Sequence, residues 1–231
     1  MAQFRETPAS IDDLDGIPIQ HEEAVLEIPE ARAPFDPARI SAINELIRTR
    51  RSIKPADMSD APVDQALLDA ILENANWAPT HGRTEPWRFK MYTGAARGRL
   101  GETLQRVYQT TTPGAEFRAE KFEKLGKNPL LAPVVIVVWM ERQSSGAIPE
   151  IEEIEAVACA VQNMHLTASA AGLGAFWSSP ALIYSEALRE ALGLESNDRC
   201  LGLFYLGWPK KTGEWPEGRR SPIQQKVEWF E

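Results

Sequence analysis

Apolar residues recur with helical spacing early in the chain and predict two helices there. Asp36 followed by Pro37 is typical of a helix start, because aspartate caps free backbone N–H groups and proline fits the first turn. The apolar stripe that follows consists of Ile40, Ile43, Leu46 and Ile47. A second helix is expected from near Pro62, and its apolar face contains Leu67, Leu68, Ile71, Leu72 and Ala75.

Three later stretches have the patterns of strands. "WRFKMYT" (87–93) alternates apolar and mostly polar residues, which is typical of a strand with one buried face. "PVVIVVWM" (133–140) and "CLGLFYLGWP" (200–209) are short, nearly continuous apolar runs, as expected for strands covered on both faces. Further helices are predicted around residues 100–107, more weakly over 115–126, over 152–171 and over 185–192. The pattern indicates one domain of mixed α and β structure.

The charge of the chain is concentrated at its start. The formal net charge is −8, and residues 1–30 contain eight acidic residues and one basic residue. We therefore expect residues 1–34 to be an acidic N-terminal extension, either irregular or laid along a partner or the domain surface, and residues 35–231 to be the folded domain. An acidic extension and a body without excess positive charge disfavour nucleic-acid binding.

Composition also points to a cellular setting. Only two cysteines occur among 231 residues, so the sequence predicts neither a disulfide framework nor a cysteine-based zinc site, and three scattered histidines predict no other metal site. The acidic start lacks the positive charge and apolar core of a signal peptide, and no apolar run approaches the ~20 residues of a membrane span. We expect a soluble, cytoplasmic protein that does not bind membranes.

Two stretches carry candidate chemistry. "RTRRSIKP" (48–55) gathers four cations and a serine at a predicted helix end. Cations there can simply complement the helix dipole, or arginine forks and a hydroxyl can hold a phosphate. Neither a P-loop nor a dinucleotide-binding glycine motif is present, so side chains would have to hold such a phosphate. "WAPTHGRTEPWRF" (77–89) is unusually aromatic for a helix–strand connection.

Taken together, four motifs resemble the nitroreductase family of flavoproteins. They are the helix ending in "RRS", the connection "NWAPTHGRTEPWRF", the small-residue helix leading into "GLGAFWSSP", and the last strand "LGLFYLGWP" with arginines after it. The likeness runs in order from about residue 41 to about residue 221, and it is strongest to small bacterial members. It implies an α+β fold with a central, mainly antiparallel sheet flanked by helices. It also implies a homodimer that swaps terminal segments and binds FMN at the subunit interface.

The resemblance assigns roles to particular residues. Arg50, Arg51 and Ser52 match the motif that holds the FMN phosphate and ribityl chain, and Lys54 matches a base near the flavin pyrimidine. Either Arg219 or Arg220 matches a C-terminal phosphate contact. The complete set of candidate cofactor-binding residues is Arg50, Arg51, Ser52, Lys54, Trp77, Thr80, His81, Trp177, Ser178, Ser179, Arg219 and Arg220.

Two further groups complete this assignment. Trp177, Ser178 and Ser179 match the stretch beside the isoalloxazine ring. Trp77, Thr80 and His81 match the segment that closes the pocket from the other subunit. The close relatives carry arginine in place of Trp77 and Ser178, and Lys54 and Arg83 are candidates to compensate for those cations.

The resemblance implies a ping-pong oxidoreductase in which NADH or NADPH reduces the flavin and a flat electrophile, such as a nitroaromatic or a quinone, reoxidises it. No protein acid or base is strictly required. Alternatives are a dehydrogenase, a dehalogenase, a flavin-consuming enzyme, for which residues 109–130 would be a lid, or a non-catalytic FMN carrier. At single positions, a purely structural role is an alternative to a role in the flavin site. His81 can be a loop histidine, His165 a core or interface histidine, and the tryptophans core residues.

Overall fold

The computed structural model describes residues 36–211 and 217–230. Its first helix, α1 (Pro37–Thr49), begins as the sequence predicts: Asp36 Oδ1 accepts hydrogen bonds from the backbone N–H groups of Ala38 and Arg39, at 3.0 and 3.3 Å. The second helix, α2 (Gln65–Asn76), starts three residues later than the expected Pro62. Residues 1–34, the predicted extension, lie outside the described residues, so this division of the chain stays a prediction.

The described residues from Ile40 onward form one unit around a four-stranded sheet in the order β1-β2-β4-β3, with every neighbouring pair antiparallel. The strands are β1 (Trp87–Thr93), β2 (Val134–Met140), β3 (Gly174–Ser178) and β4 (Arg199–Gly207). The other helices are α3 (Ala96–Thr111), α4 (Ala119–Lys127), α5 (Glu150–Ala170) and α6 (Glu186–Ala191). This arrangement confirms the predicted α+β fold with an antiparallel sheet flanked by helices.

Two apolar layers cover the sheet, one on each face. Alternate residues of β2 divide between them: Ile136 packs with α2 and α5, whereas Val137 packs with α3, α4 and α6. This division explains why β2 is a continuous apolar run rather than an alternating one. Within residues 109–130, considered as a lid, Leu125 is buried in the second layer and Phe122 packs against it. The backbone of Gly126 lies so close to Gly101 that a Cβ on Gly101 would overlap it.

Strand β3 is the element that the sequence patterns did not predict. It has only five residues and lies between a glycine-rich turn and Pro180, so neither alternation nor a long apolar run marks it. It is held by pairing with β4, in which Trp177 lies opposite Phe204. The strand matters for function, because β3 contains Trp177 and Ser178, two of the three residues that the family resemblance places beside the flavin ring.

Candidate functional site

The stretch after α1 is joined directly to β3. Ser52 forms a parallel bridge with Ala175, and the backbone N–H of Ile53 donates to the carbonyl of Ala175 at 3.0 Å. Gly174 allows this approach, since a Cβ on it would lie 3.0 Å from Cβ of Ile53, closer than ordinary packing permits. Two motifs more than 120 residues apart in the sequence therefore lie side by side in one chain.

Three arginines converge next to this junction. Burial lowers the pKa of Arg50, and the positive charges of Arg220 and then Arg51 lower it further. The guanidinium of Arg51 lies against Gly218, where a Cβ would overlap it, and its Nη1 donates to the carbonyls of Arg48 and Arg50 at 2.5 and 2.8 Å. We call Arg50, Arg51 and Arg220 the arginine cluster. Neighbouring positive charges repel one another, so an anion is the ligand that the cluster is suited to bind.

The remaining cations and hydroxyls of the predicted set can be placed around the cluster. Ser52 is exposed beside it in the chain, and Lys54 is exposed just before the short 3-10 turn at Pro55–Asp57. Arg219 lies 3.2 Å from the carboxylate of Glu217, whereas Arg220 is the neighbour whose charge acts on Arg50. Of the two C-terminal alternatives, the electrostatic influence of Arg220 on Arg50 and the pairing of Arg219 with Glu217 favour Arg220 as the anion contact.

Trp177 occupies a space made by a glycine and a register shift in β4. A Cβ on Gly202 would overlap its indole, and Nε1 of Trp177 donates to the carbonyl of Leu201 at 3.2 Å. Leu201 is the residue passed over where the β2–β4 register shifts, so its carbonyl is turned toward this indole. Ser178 is half-buried and Ser179 exposed, which leaves the end of β3 accessible to a ligand.

His165 lies in the core behind this region. Its ring packs edge-on against Phe204 with a centroid distance of 4.8 Å, and its Nδ1 is buried without a hydrogen-bond partner among the described residues. Burial lowers its pKa to about 4, and the charge of Arg50 contributes. The predicted role as a core histidine is thus consistent with its packing, but the sequence did not indicate that it lies within electrostatic reach of the arginine cluster.

Trp77, Thr80 and His81 occupy a different surface. The indole of Trp77 is 78% exposed and donates to Glu73 at 2.9 Å, and the hydroxyl of Thr80 lies 3.1 Å from that of Thr84. Nδ1 of His81 lies 2.5 Å from Oε2 of Glu152 at the start of α5. We call residues 77–85 the histidine loop. The hydrogen bonds of these three residues run to α2, to the loop itself and to α5, not to the arginine cluster.

The described part of the chain contains no helix long and apolar enough to cross a lipid bilayer. Within the same residues, no group of three or more histidine, cysteine or acidic side chains is arranged to hold a metal ion.

Comparison with known proteins gives a consistent answer. Residues 47–208 match the family model described as "Nitroreductase family". The chain is 30% identical over 190 residues to the Bacillus subtilis protein named "Putative NAD(P)H nitroreductase YfhC", an alignment that covers 80% of this chain and 93% of that protein.

Solved structures agree with the sequence relatives. A nitroreductase-like family protein from Bacillus cereus superposes with a TM-score of 0.68 and 32% identity, covering 87% of this chain and all of that one. A protein from Desulfovibrio desulfuricans described as "a putative nitroreductase in complex with fmn" gives a TM-score of 0.61 and 26% identity over the same shares. With the family match spanning most of the folded residues, this chain belongs to the nitroreductase family.

Proposed function

We propose that this chain is an FMN-dependent oxidoreductase that uses NADH or NADPH to reduce nitroaromatics, quinones or similar flat electrophiles. The observation that carries the proposal is the arginine cluster, which the Ser52–Ala175 junction joins to the first half of β3, the strand whose accessible end is at Ser178 and Ser179. A phosphate group would relieve the repulsion between these cations, and β3 lies where a ring attached to that phosphate can be held. The related FMN complex and the NAD(P)H nitroreductase name of the B. subtilis relative support the same cofactor and reductant.

Each part of the site has a separate task in this proposal. Arg50, Arg51 and Arg220 bind the phosphate, and the hydroxyl of Ser52 adds a neutral donor, since guanidinium forks match phosphate geometry. Lys54 is an exposed cation that favours negative charge on the pyrimidine side of the ring. Trp177, Ser178 and Ser179 line the other edge of the ring with backbone groups and a packed indole.

When bound, FMN supplies the exchange of a hydride at N5 with NAD(P)H and then with the electron acceptor, in a ping-pong sequence. The chain itself orients the planar molecules, binds the phosphate and limits access by water. No side chain has to act as an acid or base for this chemistry.

The functional unit in this proposal is a homodimer. Helix α1 buries none of its residues, and its stripe leaves Ile40, Ile43 and Ile47 between 44 and 53% exposed. Trp229 and Phe230, near the end of the chain, are almost fully exposed as well. Apolar surface of this extent is typical of an interface. A second subunit would cover it and would bring its own histidine loop, with Trp77, Thr80 and His81, to the flavin.

The visible absorption spectrum of the purified protein tests this function. With FMN added and oxygen excluded, we expect a flavin spectrum that bleaches when NADPH or NADH is supplied and returns when a quinone is added. A protein that binds flavin but does not bleach with either nucleotide would be an FMN carrier or a flavin-consuming enzyme. A protein that takes up no FMN would refute the proposal.

A further inference from the structure

The first turn of α5 carries three carboxylates, and each has a different basic side chain as its partner. Glu150 binds the guanidinium of Arg199 with two hydrogen bonds, at 2.8 and 3.1 Å. Glu153 pairs with Arg142. Glu152 pairs with His81 of the histidine loop, at 2.5 Å.

The three pairs differ in what they can contribute to stability. Glu153 is only 1% exposed, so losing Arg142 would leave a buried charge uncompensated. The Glu152–His81 pair is open to solvent, with side-chain exposures of 38 and 61%. Exposed ion pairs typically contribute no more than about 1 kcal/mol. Stability alone therefore gives little reason for the pair between Glu152 and His81.

The backbone that carries His81 is held in an unusual conformation. Gly82 has φ of +59°, and two residues with side chains, Arg83 and Glu85, have φ of +53° and +44°. Left-handed backbone at non-glycine residues costs on the order of 1–3 kcal/mol each and is concentrated at functional sites. The hydroxyl of Thr80, which accepts from the N–H of Glu85 at 3.2 Å, helps to hold the turn. Holding the loop in this one conformation therefore lowers the stability of the folded chain.

Among the described residues, the imidazole of His81 has a hydrogen-bond partner at one ring nitrogen only. Its Nδ1 is bonded to Glu152, and most of the ring is solvent-exposed in a single chain. A carboxylate bound to one ring nitrogen selects which nitrogen carries the proton and limits rotation of the ring. Such an arrangement leaves Nε2 available, in a defined direction, for a ligand outside the chain.

We propose that Glu152 is a positioning residue, which orients His81 and keeps its Nδ1 protonated so that Nε2 contacts FMN bound to the neighbouring subunit. This inference rests on the proposed function. It adds a residue on α5 to a site that the sequence motifs place only in the histidine loop and around β3.

Two measurements on the full-length protein test the role of Glu152. The first is the ¹⁵N NMR spectrum of histidine-labelled protein at alkaline pH, where ordinary imidazoles are neutral, with the His81 signals assigned from the His81→Gln variant. The second is the dissociation constant of FMN. The variants are Glu152→Ala, Glu152→Gln and, as a matched control, Glu155→Ala at an exposed position of the same helix.

We expect the proton of His81 on Nδ1 in the wild type and in Glu155→Ala, and a mixture of both tautomers in Glu152→Ala. FMN should bind about tenfold more weakly to Glu152→Ala, a loss typical of groups that orient a ligand-binding histidine. Glu152→Gln should stay nearer the wild type in both measurements, because its amide oxygen still accepts from Nδ1. Circular dichroism identifies any variant that fails to fold, and the glutamine variant then carries the test.

The inference is overturned if Glu152→Ala changes neither measurement, or if FMN affinity falls while the tautomer of His81 is unchanged. In both cases the proposed function stands, because the wild type still binds FMN. Absence of FMN binding by the wild type is a different result, which removes the proposed function and this inference together.

Discussion

The arginine cluster and the histidine loop differ in the kind of contact that each is suited to make. The cluster is assembled from distant parts of one chain, yet its charges repel one another, and burial and neighbouring cations lower the pKa of Arg50. The histidine loop is held to its own chain by the bonds of Trp77 to Glu73 and of His81 Nδ1 to Glu152, yet it exposes a tryptophan and an imidazole. An anion would relieve the repulsion in the first region, and the second region presents side chains that a ligand or a partner can contact. In the proposed dimer, FMN bound to the cluster of one subunit would supply the anion, and its ring would lie against the loop of the other subunit.

The largest effect is expected from a substitution in the proposed dimer interface. Replacing Ile43 with glutamate places a charge in the middle of the exposed stripe of α1, where an interface would bury it without a partner. We expect Ile43→Glu to be monomeric in analytical ultracentrifugation and to retain no FMN after gel filtration. Ser41→Glu, an exposed position on the same helix, should remain a dimer with flavin bound. A flavin-loaded dimer of Ile43→Glu would contradict the proposed interface.

Replacing one arginine tests the contribution of the cluster to FMN binding separately from that of the loop. Arg50→Ala should weaken FMN binding by roughly 10- to 150-fold, because a charge-assisted hydrogen bond contributes about 1.5–3 kcal/mol. The protein without FMN should melt at the same temperature or slightly higher, since one of three repelling charges is gone. Arg48→Ala, in the last turn of α1, is the control and should leave FMN affinity unchanged. Equal affinities of the two variants in a fluorescence titration would argue against the cluster as the phosphate site.

His165 is expected to make the stability of the folded chain depend on pH. Its pKa is lowered from 6.5 to about 4 in the folded chain, first by burial and then by Arg50, so the unfolded chain binds this proton more strongly between those values. Stability should therefore fall as the pH is lowered through this range, by up to about 3 kcal/mol from this group. Urea denaturation at several pH values should show that part of the dependence missing in His165→Leu. The same slope in both proteins would contradict the assignment.

The smallest effect is expected at Trp77. Because its indole is largely exposed, Trp77→Ala should change the free energy of unfolding by no more than about 0.5 kcal/mol. If the ring covers the flavin of a second subunit, FMN affinity should nevertheless fall severalfold, and Trp77→Phe should restore most of it. Unfolding curves combined with FMN titrations separate the two effects. Unchanged affinity in Trp77→Ala would remove this residue from the site.

Local sequence patterns predict much of the fold, whereas the candidate site depends on contacts between residues that are distant in the sequence. Asp36 and the run from Val134 to Met140 mark a helix start and a strand by themselves. Strand β3 could not be predicted this way, because pairing with β4 rather than its own periodicity maintains it.

The candidate site shows the same limit. The family motifs indicated Arg50, Arg51 and Ser52. No motif, however, shows that the partner of His81 is Glu152, which lies 71 positions after His81 in the sequence. The choice of Arg220 over Arg219 likewise depends on which charge acts on Arg50 and which arginine is paired with Glu217. Spacing identifies the residues of a motif, and only the folded chain shows their neighbours.

Subunit mixing tests most directly whether the cluster and the loop of different chains form one site. Arg50→Ala lacks part of the cluster and His81→Ala lacks part of the loop, so each homodimer alone should bind FMN poorly. After exchange of subunits, verified by native mass spectrometry, half of the dimers carry both variants, and each of these has one intact site. FMN binding should then return to about a quarter of all sites. Binding that does not increase on mixing, despite complete exchange, would contradict a site shared between two subunits.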